Sequence, residues 1–141
     1  MINRHRFLVG LFIFGTACAF AQNGRTIQVD VTYEGSGTVN AGHNIYVALW
    51  DSADIDSGPP VAVKALDSKT GSVTFTEVQK VPAYVSTAYD PTGAWDAQSP
   101  PPSGSSLGVY SVHPPTPEPI DAAPGQTAKV KLKFDDTNKV P

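Results

Sequence analysis

Hydrophobic and polar residues alternate with a period of two along most of this chain, which is the pattern of half-buried β-strands. Seven segments are predicted to be strands: Arg25–Tyr33, His43–Trp50, Val61–Leu66, Ser72–Glu77, Val81–Tyr89, Leu107–Val112 and Thr127–Phe134. No window after the first 21 residues has a helical period. Prolines and glycines interrupt the pattern at intervals of about eight to twelve residues, a spacing typical of all-β sandwiches and barrels.

Two of these strands carry further predictions. Thr127–Phe134 alternates most plainly, so its apolar residues should be buried and its lysines should face solvent: Val130, Leu132 and Phe134 against Lys129, Lys131 and Lys133. In His43–Trp50, by contrast, every residue from Ile45 onward is apolar, so both faces of this predicted strand are apolar. That pattern predicts an interior strand covered on both faces.

The segment Val81–Asp96 organises the rest of the chain. Its strand ends at Asp90-Pro91-Thr92-Gly93, whose residue order favours a type I turn. Trp95 follows this turn directly, and the proline- and serine-rich tract Ser99–Ser106 comes next. If the protein has a site, we expect it at this end of the domain.

Met1–Ala21 has the features of a signal peptide. Two arginines precede the apolar run Phe7–Phe14, and Ala19–Ala21 forms a small-x-small cleavage site. The apolar run is too short to span a bilayer as a mature anchor. We expect cleavage after Ala21. The alternative is a lipoprotein anchored through Cys18, although Gly15 stands where a lipobox normally has leucine.

Composition limits the classes of partner for Gln22–Pro141. This stretch of 120 residues suits one domain and contains no cysteine, so it forms no disulfide. The first 21 residues carry two arginines and no acid, which leaves the remainder a net charge of −5. An acidic surface argues against binding of nucleic acid or of an anionic membrane. A periplasmic or secreted location is expected.

Acidic residues follow several predicted strands. If each strand runs opposite to the one before it, the odd-numbered strands end at one pole. This would gather six acids there and three at the other pole: Glu34, Asp67, Asp90, Asp96, Asp135 and Asp136 against Asp51, Asp54 and Asp56. Crowding should raise the pKa of at least one carboxyl group. We expect these acids to cap turns and the protein to have no cofactor. The alternative is a calcium ion, for which Asp90, Asp96, Asp135 and Asp136 are the candidate ligands.

Trp95 and Tyr110 are the candidate ligand-binding residues. Aromatic side chains beside a polar loop stack on sugars or peptides. The competing interpretation is that Trp95 folds inward and pins the Ser99–Ser106 loop. Catalysis is not expected, because His43 and His113 stand alone and the chain has no Gly-x-Ser-x-Gly, P-loop or zinc-spaced set.

Several turns and strands resemble the carboxypeptidase-regulatory-like or transthyretin-like (prealbumin-like) family. The resemblance rests on Pro60–Val63, Lys69–Phe75, Ala83–Val85, Ile120-Asp121 and the Pro-Gly-Gln-Thr turn at 124–127. It implies a seven-stranded Greek-key β-sandwich that serves as a binding or accessory module. The motifs of that fold's enzymes, such as a C-terminal Tyr-Arg-Gly-Ser or closely spaced histidine ligands, are absent.

The sequence therefore predicts an exported, non-catalytic β-sandwich module with a binding or structural role. Its partner would be an extracytoplasmic protein or carbohydrate, with no membrane association after leader cleavage. The alternative is a calcium-dependent carbohydrate- or peptide-binding module.

Overall fold

A computed structural model describes residues Gly24–Pro141. The predicted signal peptide, the predicted cleavage site after Ala21 and Cys18 lie outside this range. The described residues form seven strands: β1 (Arg25–Tyr33), β2 (Ile45–Trp50), β3 (Ala62–Leu66), β4 (Thr70–Val78), β5 (Tyr84–Tyr89), β6 (Ser106–Val109) and β7 (Thr127–Phe134). The all-β prediction is confirmed for this part of the chain, and no helix within it is long and apolar enough to cross a membrane.

The strands form two sheets, one of three strands in the order β4-β1-β7 and one of four in the order β3-β2-β5-β6. β1 pairs antiparallel with β4 and parallel with β7. In the other sheet β2 pairs antiparallel with β3 and β5, and β5 pairs antiparallel with β6. Every pairing agrees with the predicted alternation of strand direction.

The core lies between the two sheets and is built from one face of each strand. In β1 and β2 every second residue is buried, as the period of two requires. In β7, Val130, Leu132 and Phe134 are buried while the three lysines that alternate with them are exposed, which confirms that prediction.

Strand bounds agree best where alternation is uninterrupted. β1 and β7 begin and end at the predicted residues. β5 begins at Tyr84 rather than Val81, because Pro82 lacks the N–H that a strand pairing needs and only Ala83 forms an isolated bridge before it. β6 ends at Val109, shortly before the proline tract that starts at Pro114.

The expectation that β2 is covered on both faces is wrong. Ile45, Val47 and Leu49 are buried in the core, but Tyr46, Ala48 and Trp50 are only half-buried. No second layer covers their face among the residues described. The apolar face of β2 instead forms the floor of a groove.

Candidate functional site

The groove lies on the outer face of the four-stranded sheet and has a volume of about 760 Å³. Tyr46 and Trp50 of β2 form its floor together with outward-facing residues of β5 and β6. The connection 55–60 lines one part, and the segments 95–101 and 139–141 line others. Most of this lining is apolar, including both tryptophans of the chain, Trp50 and Trp95.

Hydrogen bonds fix the aromatic side chains of the groove. Trp50 donates its indole N–H to Ser86 Oγ at 2.9 Å, and the Tyr46 hydroxyl donates to the Trp95 carbonyl at 3.2 Å. The Trp95 ring packs edge-on against the Tyr46 ring, with 5.0 Å between centroids. Trp95 donates its own indole N–H to the Ser99 carbonyl at 2.9 Å. The rings are therefore held in place, and their donors are already used.

The structure separates the two aromatic residues that the sequence singled out. Trp95 lines the groove on the outer face of the sheet and ties down the start of the Ser99–Ser106 loop, so the predicted pinning of this loop is found although the ring does not enter the core. Ligand binding by Trp95 stays a prediction. Tyr110 does not line the groove. It packs against the core, and its backbone N–H donates to the Val85 carbonyl at 2.9 Å.

A buried carboxylate positions Trp95. Asp90 is only 2% exposed, and its oxygens accept hydrogen bonds from the Thr92 amide and hydroxyl and from the Trp95 amide. Gly93 N donates to Asp90 O at 3.2 Å, which confirms the predicted turn. Gly93 has a φ of +71°, a conformation that glycine adopts without steric cost. Burial opposes ionisation of Asp90, but these hydrogen bonds outweigh it and lower the pKa of its carboxyl group.

A second carboxylate, Asp136, joins three segments at the pole where β1 and β7 end. Its oxygens accept from the Tyr33 hydroxyl at 2.5 Å, the Ser106 hydroxyl at 2.7 Å and both the amide and hydroxyl of Ser36. The Tyr33 ring also packs against Tyr89 and Phe134, each with centroids 4.9 Å away. We call these residues the tyrosine pole: Tyr33, Tyr89, Phe134 and Asp136.

Hydrogen bonding, not repulsion, sets the protonation of these acids. The Tyr33 hydroxyl, followed by the Ser36 amide and the Ser106 hydroxyl, lowers the pKa of Asp136. Thr137 lowers the pKa of the exposed Asp135. The expectation that crowding raises the pKa of an acid at this pole is therefore wrong for Asp90, Asp135 and Asp136, because donors from nearby turns outweigh the repulsion between the charges.

The pKa values of the two tyrosines at this pole are shifted in the opposite direction, upward. Burial, with a further contribution from Asp136, raises the pKa of Tyr33 to about 12. Burial also raises the pKa of Tyr89, and the charges of Asp136 and Asp90 add to it. Both hydroxyls therefore stay protonated as donors, to Asp136 and to the Thr38 carbonyl respectively.

The four candidate calcium ligands are engaged mainly as turn caps. Asp96 accepts from the Gln98 amide and Asp135 from the Thr137 amide, while Asp90 and Asp136 make the networks above. Between Gly24 and Pro141, no three His, Cys, Asp or Glu side chains group in a way that could hold a metal ion. Asp51, assigned to the other pole, pairs with Lys80 at 3.3 Å.

A smaller cleft of about 470 Å³ lies where the edges of β3 and β4 approach each other. Ala62 and Lys64 line it from β3, and the segment Phe75–Val78 lines it from β4. Val63, the residue between Ala62 and Lys64, lines the groove. β3 thus has an apolar concavity on each of its two faces.

Sequence reasoning missed Tyr46 and Trp50 as site residues. The signal was present, since an apolar face opposite the core residues of a strand must either be covered or remain at the surface. The sequence does not show which, because that depends on how the connections 51–60 and 90–105 fold over the sheet.

No protein-family model, curated protein or solved structure gives a significant match to this chain.

Proposed function

We propose that this protein is an exported, non-catalytic binding module of Greek-key, prealbumin-like topology whose ligand is an extended polypeptide segment. The sheet orders β4-β1-β7 and β3-β2-β5-β6 are compatible with that topology. The features of Met1–Ala21 support export to the periplasm or the exterior. The observation that carries the binding role is the aromatic groove on the outer face of the four-stranded sheet.

The groove has the features of a binding surface rather than of a covered core. Aromatic residues such as Tyr and Trp provide large contact areas at low cost in conformational entropy, and they are enriched at interfaces. Here Tyr46, Trp50 and Trp95 are already fixed by internal hydrogen bonds. A ligand therefore meets a preorganised surface and loses little affinity to the ordering of side chains.

The polar groups of the groove favour a peptide over a sugar. A sugar needs hydrogen-bond partners for its many hydroxyls, and an unpaired buried polar group costs binding energy. The Tyr46 hydroxyl and both indole N–H groups are already used within the protein. The charged lining residues are Asp56 and Lys139, both exposed and belonging to the connection 55–60 and the segment 139–141. The floor suits apolar side chains.

Tryptophan fluorescence tests this function directly, because both tryptophans of the chain line the groove. The probe is the capped nonapeptide acetyl-Thr-Ser-Val-Val-Glu-Val-Val-Ser-Thr-amide, together with its counterpart in which lysine replaces glutamate. Cellohexaose and maltohexaose serve as carbohydrate probes. We expect saturable changes in emission with the peptides and none with the sugars.

Matched variants locate the binding. Trp50→Leu and Tyr46→Leu should weaken peptide binding, whereas Tyr110→Leu, a change of an aromatic residue outside the groove, should not. A response to the sugars alone would replace the polypeptide ligand with a carbohydrate. An equal loss of peptide affinity in all three variants, measured on folded protein, would show that the groove is not the binding site.

A further inference from the structure

We infer that β3 is a docking edge, to which a polypeptide adds as a further antiparallel strand with an acidic residue opposite Lys64. This inference rests on the proposed peptide-binding function and deepens it. It specifies how the ligand is held and which residue it prefers. The observations that carry it are the open edge of β3, the concavities on its two faces and the charge at its centre.

β3 is paired along one edge. Its five residues pair with β2, and no other strand within Gly24–Pro141 pairs with its second edge. The strand is also unusually exposed, since Val63, Lys64 and Ala65 are all exposed and Val63 is 36% accessible. Natural sheets usually cover such an edge or block it with a charged side chain, often lysine, because its free N–H and C=O groups are a template for another strand. Lys64 would block a strand with an apolar or basic residue opposite it, and it leaves the edge open to a strand whose facing residue is acidic.

The backbone groups on this open edge follow from the ladder. In an antiparallel sheet successive residues direct their N–H and C=O to opposite neighbours. Tyr110 N donates to Val85 O, so odd-numbered residues of β5 face β6 and even-numbered ones face β2. Continuing this alternation through the registers of β2 leaves Val63 and Ala65 directed at the open edge. These two residues offer four hydrogen-bonding groups to an incoming strand.

Both faces of β3 have space for the side chains of such a strand. Val63 lines the groove of about 760 Å³, whereas Ala62 and Lys64 line the cleft of about 470 Å³. Side chains of an added strand point alternately to the two faces of a sheet. In strand addition the main chain provides affinity and pockets for alternate side chains provide specificity. An apolar residue on each side of the central position would lie beside Val63 and the groove.

The charge at the centre of the edge selects the partner. Lys64 is the middle residue of β3 and faces the cleft, with its ammonium 5.9 Å from the centre of the Phe75 ring. Its backbone is directed to β2, so a residue opposite it on a new strand forms the non-hydrogen-bonded pair, in which side chains lie closest. Opposite charges in such pairs stabilise a sheet and like charges destabilise it. An acidic residue is therefore preferred there.

The same charge disfavours a second copy of the chain. The antiparallel register that pairs all five residues of β3 with a symmetry-related β3 would oppose Lys64 to its own counterpart. A contact between two five-residue edges is also far smaller than the roughly 1,600 Å² that a standard stable interface buries. The occupant we assign is therefore an extended segment of another protein, with an acidic residue between apolar ones.

The test combines amide NMR of full-length mature protein with the nonapeptide probes. The glutamate peptide should shift the amide signals of Val63 and Ala65 and slow their hydrogen exchange. It should bind about three- to tenfold more tightly than the lysine peptide, as expected for exchanging an opposite for a like charge across a strand pair. Methylating the amides of the two valines beside glutamate should lower affinity at least tenfold, whereas methylating the glutamate amide, which faces solvent, should change it little.

Variants of the protein test the charge. Lys64→Glu should reverse the preference between the two peptides, and Lys131→Glu, on the exposed face of β7, should leave it unchanged. Peptide binding that alters tryptophan emission but leaves Val63 and Ala65 unperturbed would overturn strand addition and keep the proposed function. Protection of Val63 and Ala65 without a tryptophan response would keep the docking edge and overturn the groove. No binding of either peptide would overturn both.

Discussion

The Tyr33 hydroxyl donates to Asp136 Oδ1 at 2.5 Å, across 103 residues of sequence. Tyr33 is the last residue of β1, and Asp136 lies two residues beyond β7. The same carboxylate accepts from Ser106 at the start of β6, which belongs to the other sheet. One side chain therefore fastens both sheets of the sandwich at the tyrosine pole.

Replacing this carboxylate should destabilise the fold. Hydrogen bonds to charged groups contribute about 1.5–3 kcal/mol, so we expect Asp136→Asn to lower the free energy of unfolding by about that amount. Urea denaturation at pH 7 measures it. Asp135→Asn is the matched control, because Asp135 is exposed and caps only Thr137. Equal losses in the two variants would contradict the role of Asp136.

Acid should weaken the fold through the same group. The pKa of Asp136 is lowered in the folded protein, so its contribution is present above the ordinary aspartate value of about 4 and declines as pH falls below it. Asp90 acts in the same direction. Unfolding free energies measured between pH 7 and pH 2 should fall less steeply in Asp136→Asn. An identical slope in that variant and the wild type would contradict the assignment.

High pH should destabilise the fold through ionisation of Tyr33. Its pKa is raised to about 12 from an ordinary value near 10, so the stabilisation is complete below pH 10 and is lost as pH rises toward 12. The difference in stability between wild type and Tyr33→Phe should therefore shrink over that interval, since both chains carry the same lysines. Thermal unfolding at stepped pH measures this difference, and a constant difference would argue against the raised pKa.

Replacing Glu77 with glycine should stabilise the fold. β4 has one extra residue opposite Arg25 and Ile27, and Glu77 takes a φ of +54° at that bulge. A left-handed conformation costs a non-glycine residue about 1–2 kcal/mol, and glycine loses part of this gain as unfolded-state entropy. We expect Glu77→Gly to raise stability by roughly 0.5–1 kcal/mol. Glu77→Ala, which keeps the conformational cost, is the control and should not gain as much.

Leu132 tests the core. It is 2% exposed on the inner face of β7, so Leu132→Ala should lower stability by roughly 2–5 kcal/mol. The neighbouring Lys131→Ala should stay within about 0.5 kcal/mol of wild type, as surface changes do. A melting temperature unchanged by Leu132→Ala would contradict the assignment of the core.

The sequence was most informative where one periodicity governed a whole strand. β1 and β7 keep strict alternation, and their bounds and buried faces were predictable from that alone. β5 was less predictable at its start, where Pro82 delays the pairing, and β6 at its end, where the Tyr110 carbonyl accepts from Glu118 instead of continuing the strand. The turn at Asp90 was predictable because its residues fix their own local conformation.

The candidate site was harder to predict from the sequence than the strands, for a different reason. The pKa of Asp136 depends on Tyr33 and Ser106, which no local pattern connects to it. The groove depends on the buried Asp90, which holds Trp95 against Tyr46, and on the path of two long connections. Such features arise from side chains brought together by the tertiary fold, whereas periodicity describes neighbours in sequence.

The parallel pairing of β1 with β7 constrains the order of folding. Val29 is paired with Val130, about one hundred residues later, and β1 is the central strand of its sheet. Pairing β1 with β7 closes a loop of about one hundred residues at an entropic cost, even after β1 has paired with β4, and such topologies fold slowly. A chain that emerges N-terminus first leaves one side of β1 unpaired until β7 is released. The three-stranded sheet is thus completed last, and its completion depends on the final segment of the domain.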